Sequence, residues 1–205
     1  TVGVIQSLAQ SPDGDVLAIC DDAKMFYLYD LCSREMLEVQ GTERNEVTLR
    51  EHYDFLGEDY LVYRSAYEEY MTRASVYDIQ KQEVVAELET QGAGTIVCSE
   101  DGKWIVVRDY SSNYIIFDGN TFEKKGQIDK VPGTLLGYTM KVSEDGILSF
   151  ATYEFTQNNT TEYKMYFVDI DANQIVSFYA VEDMNIVDVK CYNEICTKFS
   201  KIRSL

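Results

Sequence analysis

VCSEDGKWIVVRDYSSNYIIFD, Val97–Asp118, reads as three short strands joined by two tight turns. Asp101-Gly102 is the strongest short-range hairpin signal, because Gly supplies positive φ and Asp bonds its own backbone. Tyr110-Ser111-Ser112-Asn113 supplies the second turn. Between them Trp104–Val107 and Tyr114–Phe117 are β-branched and aromatic runs of strand length.

The same unit recurs outward from this stretch. Segments Ser7–Val39, Glu51–Leu88, Gly94–Ile128 and Tyr138–Val181 align on the turn aspartates Asp13, Asp59, Asp101 and Asp145, at steps of 46, 42 and 44 residues. A second set, Asp30, Asp78, Asp118 and Asp169, each follows Tyr29, Tyr77, Phe117 or Val168 and opens a polar hairpin. Four strand-like runs per step of this length predict a four-stranded blade. In the third segment the inner runs are almost continuously apolar, as strands sandwiched between blades must be, while Phe122–Ile128 is polar, as a rim strand facing water must be. The expected architecture is all-β: a β-propeller of four-stranded antiparallel blades, four of them plus a partial fifth. The 205 residues are read as one propeller or propeller fragment, with blades near 2–40, 47–89, 93–128 and 134–181 and a partial blade over 184–205. In that last part, Asn185–Tyr192 and Glu194–Phe199 read as two strands.

Ser11-Pro12-Asp13-Gly14, Ser99-Glu100-Asp101-Gly102 and Ser143-Glu144-Asp145-Gly146, with the Tyr29-Asp30, Tyr77-Asp78 and Phe117-Asp118 pairs, resemble WD40-like and YVTN-type β-propeller repeats. The resemblance covers about residues 2–181. The Gly-His and repeated Trp-Asp pairs of the WD family are absent, and Trp104 is the single Trp. The family's buried His-Ser-Asp-Trp network is therefore not carried over. The resemblance implies a binding scaffold or, as the alternative, a propeller enzyme or small-ligand sensor with a central-channel site, lactonase-like or peptidase-associated.

Composition narrows the partners. Acids outnumber bases 35 to 18, a net charge of −17, which repels nucleic acid and anionic membranes and suits a basic peptide or protein. No run approaches the roughly 20 apolar residues that insert across a bilayer. The five cysteines (Cys20, Cys32, Cys98, Cys191, Cys196) are odd in number and irregularly spaced, with no CxxC pair for zinc. That favours a soluble, cytoplasmic protein over a secreted one.

Catalytic constellations are hard to assemble. His52 is the single histidine, which removes Ser-His-Asp, Cys-His and multi-histidine metal sites; it is read as lying in a first strand. Asp169-Ile170-Asp171-Ala172-Asn173 opens like a calcium loop, but Gln174 and Ala180 replace the required Gly and Glu. The acid pairs Asp21-Asp22, Glu58-Asp59, Glu68-Glu69 and Glu182-Asp183 are read as solvated loop residues. No cofactor motif is present, and a non-enzymatic reading is preferred.

Loop length is the remaining signal. The connection between second and third strands is short in segments one and three and longer in two and four, at Ser65–Tyr70 and Thr156–Glu162. The candidate binding residues are therefore Tyr67, Glu68, Glu69 and Tyr70, with Asn158 and Asn159 on the fourth segment. The expected function is a protein- or peptide-binding module presenting one loop-rich face, with self-association or further blades closing the ring.

Overall fold

The repeated Asp-Gly turns fold identically. In the computed structural model, which describes residues 3–39, 46–47, 49–68, 71–157 and 160–181, Gly14, Gly102 and Gly146 take φ of 85°, 75° and 73°. Each donates its N–H to the carbonyl of the serine three residues back, Ser11, Ser99 or Ser143, at 3.0 Å. Each of those serines accepts, on Oγ, the N–H that opens the next strand, from Val16, Trp104 or Ile147. The second aspartates cap the later turn in the same way. Asp30 Oδ1 accepts the Cys32 and Ser33 N–H groups, Asp118 Oδ1 those of Asn120 and Thr121, Asp78 that of Lys81 and Asp169 that of Ala172.

These turns join four antiparallel sheets. Sheet I holds β1 (Ile5–Gln10), β2 (Val16–Asp21), β3 (Phe26–Asp30) and β4 (Met36–Glu38). A 3-10 turn, η1 (Arg50–His52), leads into sheet II: β5 (Tyr53–Leu56), β6 (Tyr60–Glu68), β7 (Met71–Asp78) and β8 (Glu83–Leu88). Sheet III holds β9 (Ala93–Cys98), β10 (Trp104–Asp109), β11 (Tyr114–Asp118) and β12 (Lys124–Ile128). Sheet IV starts with a divided first strand, β13 (Thr134–Leu135) and β14 (Lys141–Val142), separated by a second 3-10 turn, η2 (Gly137–Thr139). Both pieces pair with β15 (Ile147–Phe155), followed by β16 (Thr161–Asp169) and β17 (Gln174–Val181).

The sheets stack in chain order through three apolar layers. Between I and II, Phe26 meets Tyr53 and Tyr63 edge-on at 5.2 and 5.3 Å. Between II and III, Val62, Ala74 and Val76 face Ile96, Ile105, Val107, Ile115 and Phe117. Between III and IV, Tyr114 stacks on Phe150 at 4.2 Å. Sheets II and III are thus apolar on both faces, which is why their inner strands carry no polar alternation. With the first strands side by side at the centre and fourth strands outside, this is the expected propeller-like, four-blade arrangement. The two strands read over 184–205 lie outside the described residues.

Three expectations change. His52 sits in η1 rather than in a strand. The first strand of the fourth unit is broken by η2. The long second connections of units two and four are mostly longer strands: β6 continues to Glu68 and β7 begins at Met71, while β15 continues to Phe155 and β16 begins at Thr161. Cross-strand pairing out to Ala66↔Thr72 and Phe155↔Thr161 satisfies the backbone groups that a loop would leave to water.

Candidate functional site

In consecutive antiparallel strands, every second-to-third connection and every entry into a first strand falls at one end of the molecule. The Asp-Gly turns fall at the other. The first end differs strongly from sheet to sheet. In sheets I and III it is clamped by a buried carboxylate. Asp21 Oδ1 accepts the Ala23 and Met25 N–H groups, and Asp109 accepts the Asn113 N–H and side-chain amide. Burial works to raise the Asp21 pKa, but the N–H bonds from Met25, Gly3 and Ala23 and the Tyr27 hydroxyl outweigh it and hold the carboxyl low. Asp21 is thus a structural clamp, not the solvated loop acid its Asp-Asp context suggested: it closes β2, where four donors converge on it.

Among the described residues no such carboxylate closes sheets II and IV, whose hairpins extend further instead. Large apolar side chains stand exposed at this same end: Leu49 is 52% exposed, Met71 41%, Tyr110 55% and Phe155 77%. Tyr110 reaches from sheet III to sheet II, its hydroxyl 3.0 Å from Thr72 Oγ1, which donates to the Ala93 carbonyl. Tyr153 lies edge-on to Phe155 at 5.6 Å and within 6.5 Å of Tyr163, an aromatic group at the end of the β15–β16 hairpin. Tyr67 and Glu68 fall at the tip of β6; their side chains, and Glu69, Tyr70, Asn158 and Asn159, lie outside the described residues.

A second feature occupies the centre. A cavity of about 510 Å³ is lined from all four units: Ser11 after β1, Asp54 and Phe55 of β5, Ile96 to Cys98 of β9, and Met140 to Val142 around β14. Arg50, Glu51, Glu100 and Lys141 add charge. The floor is apolar and the wall carries one buttressed ion pair. Arg50 Nη2 donates to Asp54 Oδ1 at 3.0 Å, and Asp54 Oδ2 accepts the Cys98 N–H at 3.0 Å, tying β5 to β9. Burial pushes the Asp54 pKa up, with Arg50 opposing it. Burial, and then the Asp54 charge, raise the Cys98 thiol well above its ordinary value, so it is no thiolate nucleophile.

His52 does not line this cavity. Its Nε2 lies 3.2 Å from Arg64 Nη1, and a guanidinium only donates, so the ring accepts there and is neutral. Burial and then the Arg64 charge move its pKa down to about 4. It packs η1 against β6. The Asp169–Asn173 segment is a hairpin turn closed by Asn173 at φ 51°. Among the described residues no three His, Cys, Asp or Glu side chains gather as metal ligands, and no helix is long and apolar enough to cross a membrane. Cys20, Cys32 and Cys98 are free thiols, Cys32 alone of the three exposed.

Neither the cavity nor the exposed aromatic end was visible in the linear chain as a unit. Their residues come from four distant segments, and only the unequal hairpin lengths hinted at the second.

Comparison with protein-family models and with curated protein sequences yields no match. Among solved structures, the crystal structure of the tricorn protease, a propeller-containing protein, superposes with a TM-score of 0.64 at 13% identity. The likeness covers 90% of this chain and 18% of that one, so the chain spans under a fifth of that protein's length. At this identity the likeness shows a propeller-like fold.

Proposed function

We propose that this chain is a binding scaffold that captures a protein segment or basic peptide on the end carrying the β6–β7 and β15–β16 hairpins. The observation that carries the reading is the group of exposed large apolar residues at that end, Leu49, Met71, Tyr110 and Phe155, on a framework with net charge −17. Exposed aromatic and Met side chains supply interface anchors, while acidic surroundings steer a cationic partner. Tyr67 to Tyr70 and Asn158-Asn159 belong to the same two hairpins and would extend the surface.

The test is selection of a random displayed-peptide library on the folded chain. Enriched peptides should combine Lys or Arg with an aromatic residue. Phe155→Ala with Tyr110→Ala should weaken their binding at least tenfold while leaving the circular-dichroism spectrum unchanged. Peptides that bind the double variant as tightly as the parent would overturn the proposal.

A second reading places a small ligand in the central cavity, where an apolar floor and the Arg50–Asp54 pair meet. It would make the chain a small-ligand sensor or an enzyme-associated propeller. Selected ligands sensitive to Glu100→Lys and indifferent to Phe155→Ala would favour it.

A further inference from the structure

Three aromatic rings share one face at the end of the β15–β16 hairpin. Tyr153 and Phe155 stand two residues apart on β15, and the pairing register sets Tyr163 of β16 directly opposite Tyr153. Side chains two apart on a strand, and side chains in a directly opposed pair, lie on the same side of a sheet. Further in on that side are Ala151 and its partner Met165, both buried. Toward the hairpin end the same face opens, with Tyr153 and Tyr163 half-buried and Phe155 largely exposed.

The rings are inclined rather than stacked. Phe155 stands at 83° to Tyr153 with centroids 5.6 Å apart, and Tyr163 is tilted from Tyr153 by 46° at 6.5 Å. Two perpendicular rings make a corner, and the third leans beside it. Ring faces are the negative part of the aromatic quadrupole, so such a corner attracts a cation that comes within about 6 Å of a centroid. The surroundings add to this. Residues 153–163 hold two acids, Glu154 and Glu162, and no base, on a chain of net charge −17. The two acids are cross-strand partners that alternate onto the other side of the hairpin, where Lys164 donates to Glu154 at 2.9 Å. They strengthen the negative field without lining the corner.

Geometry selects among cations. A guanidinium is planar and stacks best on a ring or between parallel rings, and neither neighbour of Tyr153 is parallel to it. A primary ammonium is compact and strongly hydrated, and its three N–H donors need acceptors that ring faces supply poorly. A quaternary ammonium has no N–H to satisfy. Its methyl groups pack against the rings while its charge meets their faces.

We propose that this corner binds a quaternary ammonium group, carried as a trimethylated lysine by a protein segment docked at this end. The inference rests on the proposed capture of a cationic segment there and adds the group that anchors it.

The test titrates the full 205-residue chain with N-acetyl-trimethyllysine methylamide, followed by NMR of the N-methyl protons. The comparison probes are the unmethylated lysine compound, the uncharged tert-butyl isostere and choline. Ring currents should move the N-methyl signal upfield, and the trimethylated compound should bind about fivefold more tightly than the lysine compound or the isostere. Tyr153→Leu and Tyr163→Leu keep apolar bulk but remove ring faces, and each should weaken binding about threefold, with Tyr153→Phe close to the parent. Equal binding of the isostere overturns the proposal, and that comparison needs no variant. Tighter binding of choline, which would mark a free or lipid headgroup as the ligand, overturns it, as does binding unmoved by both leucine variants. Displayed peptides that depend on Phe155 and Tyr110 but gain nothing from trimethylation of their lysines would sink this inference and leave the scaffold reading standing. A library that enriches nothing while the trimethylated compound binds would do the reverse.

Discussion

His52 holds its place by staying neutral. Its pKa falls from 6.5 in the unfolded chain to about 4 in the folded one, through burial and the neighbouring Arg64. The unfolded chain binds the proton more tightly, so the contribution is complete above pH 6.5 and is lost as pH falls from there through about 4. At 1.36 kcal/mol per pH unit, the loss amounts to about 3 kcal/mol. Urea unfolding at pH 7 and pH 4.5 should resolve most of it, and His52→Gln should flatten the difference. Gly119 is the other instructive residue. Its N–H donates to the Lys103 carbonyl at 2.7 Å, and a Cβ there would collide with the Gly102 carbonyl oxygen. Gly119→Ala should cost about 1–3 kcal/mol by forcing two turns apart. Gly102→Ala meets open contacts but must hold φ at 75°, at a cost of about 1–2 kcal/mol. Chemical denaturation of both checks whether collision or backbone conformation dominates. Of these residues only Gly102 was legible beforehand, because an Asp-Gly turn acts through its own backbone. What fixes Gly119 and His52 comes from chain that is distant or folded back.

At the scale of strands and turns, carboxylates do the joining. Asp54 ties two innermost strands, and Asp54→Ala would leave the Cys98 N–H without its acceptor, a loss of about 1–3 kcal/mol. Asp54→Asn keeps one acceptor oxygen and should lose less, which differential unfolding of the two variants would show. Asp109→Ala should open the β10–β11 turn, detectable as faster amide exchange at Asn113. Strand positions were readable because β-branched and aromatic runs between Asp-Gly turns have no other stable reading. Strand ends were not. SAYEEY and TQNNTTE look like loops in composition, yet cross-strand pairing with Met71–Arg73 and with Glu154–Phe155 carries the ladder into both. η2 was hidden for a similar reason: Gly137 fits there because Glu51 of η1 packs against it, a contact between segments far apart in sequence.

For the molecule as a whole, two electrostatic effects are separable by pH. Asp30, Asp78 and Asp118 are held below the ordinary carboxylate range by donors: the Ser33 and Cys32 N–H groups on Asp30, the Lys81 side chain on Asp78 and the Thr121 N–H on Asp118. Their folded pKa values are depressed, so the stability they contribute is present above the unfolded value of 3.8 and is lost as pH falls below it. A thermal-unfolding series should therefore fall in two stages, the first from His52 and the second below pH 4. At neutral pH the net charge of −17 repels itself, and added salt should raise the unfolding midpoint by screening. The stack of four sheets followed from periodicity alone. The cavity did not, since its lining is assembled from four units whose individual residues are ordinary.

The four sheets alternate in kind. Odd ones have a carboxylate-clamped turn at Asp21 or Asp109, and even ones have a 3-10 entry, at Arg50–His52 or Gly137–Thr139, and a long hairpin. The true period of the chain is therefore the pair, 88 residues from Asp13 to Asp101 and 86 from Asp59 to Asp145. Exchange of whole pairs between such units would preserve every odd-to-even junction, whereas exchange of a single blade would set like against like.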